Sequence, residues 1–261
     1  MMMKKFATIL LAALSLSVSA SALSTAQLAD SAYNKQNYRE AIELYQQSIA
    51  TEGKSAVLYT NLGNAYFRND NLGRAVLSYE RALKLDPSDG DARQNLAFVR
   101  SRIQDRPEDD SSFFSNMHRS VVASAKPDTW AWIAFGVFVL LIGAAALYIF
   151  SQNVALRKTG FFGGLVLLFV FAYLLFVAFD SVDRATGTSS AIVTAPSTQL
   201  TSAPRGAGSD SDKVVTIHEG TKVEIIDSVA TPDDPVSPVW YNVNINHGTK
   251  AWLRATDVER I

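Results

Sequence analysis

Cysteine is absent from this 261-residue chain. Its absence excludes disulfides, a thiol nucleophile, thiolate metal sites and a lipoprotein anchor. Histidine is nearly as scarce: His118, His218 and His247 stand in three unrelated local contexts, none with neighbours that spell a triad or a metal motif. Charge of one sign is lacking too. Residues 23–110 carry 11 basic and 13 acidic side chains, and residues 181–261 carry 7 and 10, so no basic face invites nucleic acid. A phosphate loop is also missing, because Arg205-Gly206-Ala207-Gly208 lacks the following lysine and helix. The carboxylate pairs Asp109-Asp110 and Asp233-Asp234 fall in Pro-bearing loops and read as solvated turn residues. No catalytic residue, cofactor or metal is expected; the sequence does not read as an enzyme.

What is present is a helical hairpin written twice, 34 residues apart. In the second copy Tyr59, Leu62, Gly63, Tyr66, Ala75, Tyr79, Ala82 and Pro87 occupy positions 4, 7, 8, 11, 20, 24, 27 and 32, a pattern that resembles the tetratricopeptide repeat (TPR). The first copy keeps Leu28, Ala29, Ala41 and Tyr45, with Ser48 as its third small residue. Small residues at positions 8, 20 and 27 let two antiparallel helices approach, and aromatic residues fill the gaps. Helices are predicted over 25–36, 39–51, 55–68, 72–85 and 90–103, the last a cap on the second repeat. The helical domain therefore spans 23–103, with Leu62, Gly63, Tyr66, Ala75, Ala82 and Pro87 as packing positions.

Such hairpins stack and leave a concave groove suited to a peptide or partner helix. TPR spacing maps its lining onto Leu23, Ala26, Asp30, Tyr33 and Asn34 in the first repeat and Val57, Thr60, Asn64, Phe67 and Arg68 in the second. Ala26 and Asp30 stand where carboxylate-clamp repeats have Lys and Asn, so capture of a partner's terminal carboxylate is not expected. Tyr33, Asn64, Phe67 and Arg68 are the candidate protein-binding residues, suited to an internal peptide or partner loop.

The N-terminus reads as a secretory signal over 1–22. Lys4 and Lys5 are followed by the apolar stretch Phe6 to Val18, and Ala20-Ser21-Ala22 is a small-residue motif that places cleavage after Ala22. Two later runs without a charged residue, 130–150 and Gly160 to Phe179, approach the roughly 20 residues that cross a bilayer. A second transmembrane segment of 160–180 follows from the latter. The turn 151–159 between them carries Arg157 and Lys158, and the positive-inside rule places it in the cytoplasm, with both soluble domains outward. Gly160 and Gly164 are expected to pack near Ala144, Ala145 and Ala146 within the hairpin. Residues 104–129 form a polar linker, then Phe113, Met117 and Val121 recur every fourth residue. That spacing fits an amphipathic helix on the outer leaflet, with a disordered tether as the open alternative.

After Ser190 the text changes to short β-like runs: Ala191 to Thr194, Val214 to His218, Lys222 to Asp227, Trp240 to Asn246 and Lys250 to Leu253. Gly220 and Asn246-His247-Gly248 punctuate them, which suggests a small all-β barrel over 188–261. Glu219-Gly220-Thr221-Lys222-Val223, Trp240-Tyr241-Asn242-Val243 and Gly248-Thr249-Lys250-Ala251-Trp252-Leu253 resemble the bacterial SH3-type domain, with Ala251 replacing a glycine. Trp240 is expected in the core.

The whole is a multidomain membrane protein: all-α TPR hairpins, a two-helix transmembrane hairpin and a small SH3-like barrel. This order, with Pro127-Asp128-Thr129-Trp130-Ala131-Trp132 entering the first span, resembles the BatE-like family, the TPR membrane proteins of Bat (Bacteroides aerotolerance) operons. The resemblance implies a non-catalytic scaffold in the inner membrane with its soluble domains in the periplasm. It also implies partners: von Willebrand A-domain membrane proteins, another TPR protein and a MoxR-type AAA+ ATPase, with a role in aerotolerance or envelope stress. The alternative is an envelope anchor or sensor whose SH3-like domain binds peptidoglycan.

Overall fold

The computed structural model describes residues 23–105, 112–204, 213–231, 237, 239–245 and 249–261. The expected signal segment with Ala22, the pairs Asp109-Asp110 and Asp233-Asp234, His247 and the Arg205–Gly208 run lie outside these residues.

Five helices open the fold: α1 (Thr25–Asn34), α2 (Tyr38–Thr51), α3 (Ala56–Arg68), α4 (Leu72–Leu85) and α5 (Gly90–Arg100). Four of the five starts, all but that of α2, are capped by short polar side chains that accept otherwise orphaned amides. Ser24 and Gln27 make a capping box, Ser55 accepts from Leu58, Asn71 from Arg74 and Asp89 from Ala92. The 34-residue period extends to the backbone. Gln36 and Asp70, 34 apart, both adopt positive φ, 64° and 60°, in the turns that reverse α1 into α2 and α3 into α4. The next amide in each turn, of Asn37 or Asn71, bonds back to the carbonyl of Ala32 or Tyr66.

Close approach inside the second hairpin has a measurable cause. A Cβ on Gly63 would sit 2.6 Å from Cε1 of Tyr79, itself 1% exposed. Leu62, Tyr66, Ala75 and Ala82 are buried in the same core, whereas Pro87 is only half-buried in the turn after α4. Leu28, expected at an inner position of the first repeat, is exposed instead. It lies on the outermost helix of the described stack, where no earlier helix covers it.

α6 (Phe113–Val122), α7 (Pro127–Phe150) and α8 (Val154–Thr186) follow. The latter two pack antiparallel, and both are long and apolar enough to cross a membrane. They approach closely at Gly160, where a Cβ would lie 2.7 Å from the Ala144 carbonyl oxygen. α8 is longer than its apolar run. It begins at Val154, so the non-helical turn shrinks to Ser151–Asn153, and Arg157 and Lys158 lie in the first turns of α8 rather than in a loop. Asn153 makes this possible by capping Ala155. α6 does not lie free. His118 stacks on Phe176 of α8 at 4.9 Å and its Nε2 approaches Asp180 at 3.2 Å, while Phe113, Phe114 and Met117 stay exposed.

The C-terminal segment is one antiparallel sheet of seven strands: β1 (Ser190–Val193), β2 (Ser197–Thr201), β3 (Lys213–His218), β4 (Lys222–Ala230), β5 (Val239–Ile245), β6 (Thr249–Arg254) and β7 (Val258–Arg260). The spatial order is β3-β2-β6-β5-β4-β1-β7. The expected barrel does not close by strand pairing, since β3 and β7 remain as edges. The β7 edge has another partner: Arg81 and Lys84 of α4 donate to the carbonyls of Arg260 and Ile261 at 2.7 and 2.9 Å. A helix thus covers the groups that a closing strand would have paired.

Alternation along β1 joins the helical and β parts. Ala191 and Val193 point into the sheet core, while Ile192, fully buried, packs with the helical core. Around it, Glu80 of α4 is held between Arg100 and Lys222, and Glu219 accepts the Gly73 amide at 2.8 Å. Asp105 closes the junction, accepting the His218 amide at 2.6 Å and the Thr221 hydroxyl at 2.9 Å. The repeats and the sheet form one continuous body through these contacts.

Candidate protein-binding groove

The face of the repeats away from the sheet carries a polar recess of about 360 Å³, lined by Asp30, Tyr33, Asn34, Tyr45, Asn61 and Asn64. It is built from one motif used twice. In the first repeat the Tyr45 hydroxyl donates to Asp30 Oδ1 at 2.5 Å, and the Asn61 amide approaches the same oxygen at 3.4 Å. In the second the Tyr79 hydroxyl donates to Asn64 Oδ1 at 2.7 Å, and the Asn95 amide donates to the same oxygen at 3.0 Å. The offsets match: 15 residues from acceptor to tyrosine and 31 to the amide. Thirty-one is the repeat length less about one helical turn, the offset at which neighbouring first helices of a repeat stack meet.

Both tyrosines act as fixed donors. Burial pushes the Tyr45 phenol well above its ordinary pKa, helped by its bond to Asp30 and by the Asp30 charge, and burial does the same for Tyr79. The two motifs differ in what they leave over. Asp30 brings a negative charge to one end of the recess. Asn64 uses its carbonyl oxygen twice, and its NH2 group makes no hydrogen bond among the described residues. Those two donors suit the backbone carbonyls of a bound peptide.

The four residues singled out in the sequence therefore divide. Tyr33 and Asn64 line the recess together. Phe67 turns toward α5, edge-on to Phe98 at 5.6 Å, with the Arg102 guanidinium 4.3 Å from the Phe98 centroid. Arg68 is exposed and lies over Tyr38 at 5.2 Å. Thr60, counted as groove lining from spacing, is buried, with its hydroxyl 2.9 Å from Asp89. Asn61 was missed. Its signal was the tandem period itself, since Asn61 stands 31 residues after Asp30 as Asn95 does after Asn64.

Two histidines gain carboxylate partners that no local sequence context announced: His118 with Asp180 and His218 with Asp105. Asp105 lies below the ordinary carboxylate range: burial alone would raise it, and the bonds from the His218 amide, the His218 ring and the Thr221 hydroxyl outweigh that. The Asp105 carboxylate ties the helical and β parts together. Trp240 is 1% exposed, but it alternates with Tyr241, Val243 and Ile245, which face the sheet core, and so is buried on the other face with the Arg254 guanidinium 5.6 Å from its ring.

A tetratricopeptide repeat family model matches residues 27–93. That span covers both hairpins and the opening of α5, and with them every residue of the recess. No curated protein matches this sequence. The matched repeats point to a protein–protein interaction scaffold, a role that TPR domains generally serve without catalysis.

Proposed function

We propose that this protein is a non-catalytic scaffold, anchored by α7 and α8 in a bacterial inner membrane, that holds an extended segment of a partner protein in its TPR groove. The single observation behind this reading is the recess bounded by Asp30, Tyr33, Asn61 and Asn64, in which the Asn64 NH2 donors are left to a guest. Supporting the orientation are Arg157 and Lys158 beside the short turn, since the positive-inside rule favours a cytoplasmic turn with the repeats and sheet in the periplasm. A cleaved signal over 1–22 is consistent with it. The seven-stranded sheet is assigned to the SH3-like class on its Trp240-to-Val243 strand and the Gly248-to-Leu253 segment. By the same architecture the partners are of the Bat type: A-domain membrane proteins, a second TPR protein and a MoxR-type ATPase, in an envelope complex linked to aerotolerance or stress.

The experiment is a comparison of complexes recovered from native membranes with wild-type protein and with Tyr33→Ala/Asn64→Leu. Loss of an A-domain or ATPase partner, with the variant still folded and membrane-bound, is the expected result. Recovery of the same partners at wild-type levels would remove the groove from the reading.

A further inference from the structure

A second cavity, of about 590 Å³, lies where α4, α5, α6, the end of α8 and Lys222 of β4 converge. Its size falls inside the roughly 300–1,000 Å³ typical of ligand pockets. Six cations line it, Lys84, Arg93, Arg100, Arg119, Arg184 and Lys222, against two carboxylates, Glu80 and Asp183. Glu80 is already committed to Arg100 and Lys222. Lys84 donates to oxygens of Gly187 at 2.5 Å and Ile261 at 2.9 Å, Arg93 donates to the carbonyls of Pro87 and Ala123, and Arg184 is paired with Asp180 at 2.9 Å. The Pro87 and Ala123 carbonyls satisfy Arg93 without cancelling its charge. Burial, then the repulsion of Lys222, Arg81 and Lys54, holds Lys84 below the usual lysine range.

An independent observation points into the same space. Ser181 is 1% exposed, lines this cavity, and its hydroxyl has no hydrogen-bond partner among the described residues. Buried hydroxyls are normally paired, and one left alone beside a cluster of cations is what an unfilled anion site presents.

We infer that this cavity binds a phosphate-bearing anion, held by Lys84, Arg93 and Arg184 with the Ser181 hydroxyl as a further hydrogen-bonding group. Phosphate chemistry could come from a lipid headgroup or from a soluble phosphate compound, and the position favours the lipid. Ser181 sits just past the exposed Phe176 and Phe179 of α8, and α6, which supplies Arg119, exposes Phe113, Phe114 and Met117. That is headgroup depth for a protein anchored by α7 and α8. The lipid source rests on the proposed membrane placement; the anion site itself does not.

Native mass spectrometry of the full-length protein in mild detergent tests it, with phosphatidylglycerol, phosphatidylcholine or inorganic phosphate as the added probe. Retention of phosphatidylglycerol at least tenfold above phosphatidylcholine is expected, falling tenfold or more in Arg93→Gln/Arg184→Gln and severalfold in Ser181→Ala. Binding of inorganic phosphate with the same variant sensitivity, and no lipid preference, would support the site and assign its ligand to a soluble anion. Variants of unchanged circular dichroism that hold both probes as the wild type does would overturn the proposal, as would a wild type that holds neither. Should the double variant misfold, raising salt on the wild type must release the anion, and indifference to salt counts equally against the site. Flotation with phosphatidylcholine vesicles reads the membrane placement separately.

Discussion

Replacing Gly63 by alanine probes the packing on which the groove depends. The new Cβ would meet Cε1, Cδ1 and Cζ of Tyr79 at 2.6, 2.8 and 2.9 Å. Tyr79 cannot swing aside freely, because it is buried and its hydroxyl is fixed on Asn64 at 2.7 Å. Relief therefore comes from separating α3 from α4 or from breaking that hydrogen bond. Overpacking costs about 1–3 kcal/mol, and a strained or lost hydrogen bond adds about 1 kcal/mol. Alanine returns about 1 kcal/mol through its better helix propensity. The net destabilisation is about 1–3 kcal/mol, which lowers amide protection in a locally opening unit by roughly 5- to 150-fold. Hydrogen exchange read by mass spectrometry on peptides from α3 and α4 gives this directly. Gly90→Ala is the control, since nothing lies within 4 Å of its Cβ position. Tyr79→Leu should rescue the Gly63 variant in packing while leaving Asn64 without its tyrosine. If Gly63→Ala instead raised protection as Gly90→Ala does, the close-approach argument would be wrong.

Acid should open the junction between repeats and sheet. Asp105 and Glu80 are both held below the ordinary carboxylate range, so the stability they lend is fully present above it and is lost as pH falls through their depressed values. Exchange at β3 and β4 amides should therefore stay slow through neutral and mildly acidic pH and rise only below the ordinary carboxylate range; a rise near neutrality would point to other groups. For the helical hairpin, a Cβ on Gly164 would lie 3.5 Å from that of Ala144, within disulfide reach. With no native cysteine to interfere, Ala144→Cys/Gly164→Cys should oxidise to a monomeric crosslinked species. A disulfide-linked dimer as the main product would move Ala144 and Gly164 to an interface between copies.

The repeats were legible because their information is local and periodic. Gly63, Ala75 and Ala82 declare close helix approach through spacing alone, and the structure buries all three. The same periodicity extended to polar contacts at 15 and 31 residues, yet only a search for side-chain pairs at those offsets would have found Asn61. Phe67 and Arg68 stand outside the recess because position within a repeat says which face a residue occupies and nothing of a neighbour such as Phe98 or Tyr38 that draws it aside. β2 and β7 escaped notice for a different reason. Ser197-Thr198-Gln199-Leu200-Thr201 is polar, and Val258–Arg260 is too short to show alternation. The junction was wholly hidden, since Asp105 and His218 are 113 residues apart and Glu80 and Lys222 142. Each looked like a solvated charge in its own neighbourhood.

The account stands or falls on whether the recess holds another protein. Placing a photoreactive residue at Asn34, which lines the recess, and at Gln47, exposed on α2 outside it, and irradiating intact cells would decide this most directly. A crosslink from Asn34 to an extracytoplasmic segment of one membrane protein, absent from Gln47 and abolished by Tyr33→Ala/Asn64→Leu, is the predicted result. Equal crosslinking from both positions, or none from Asn34 in a folded protein, would contradict it.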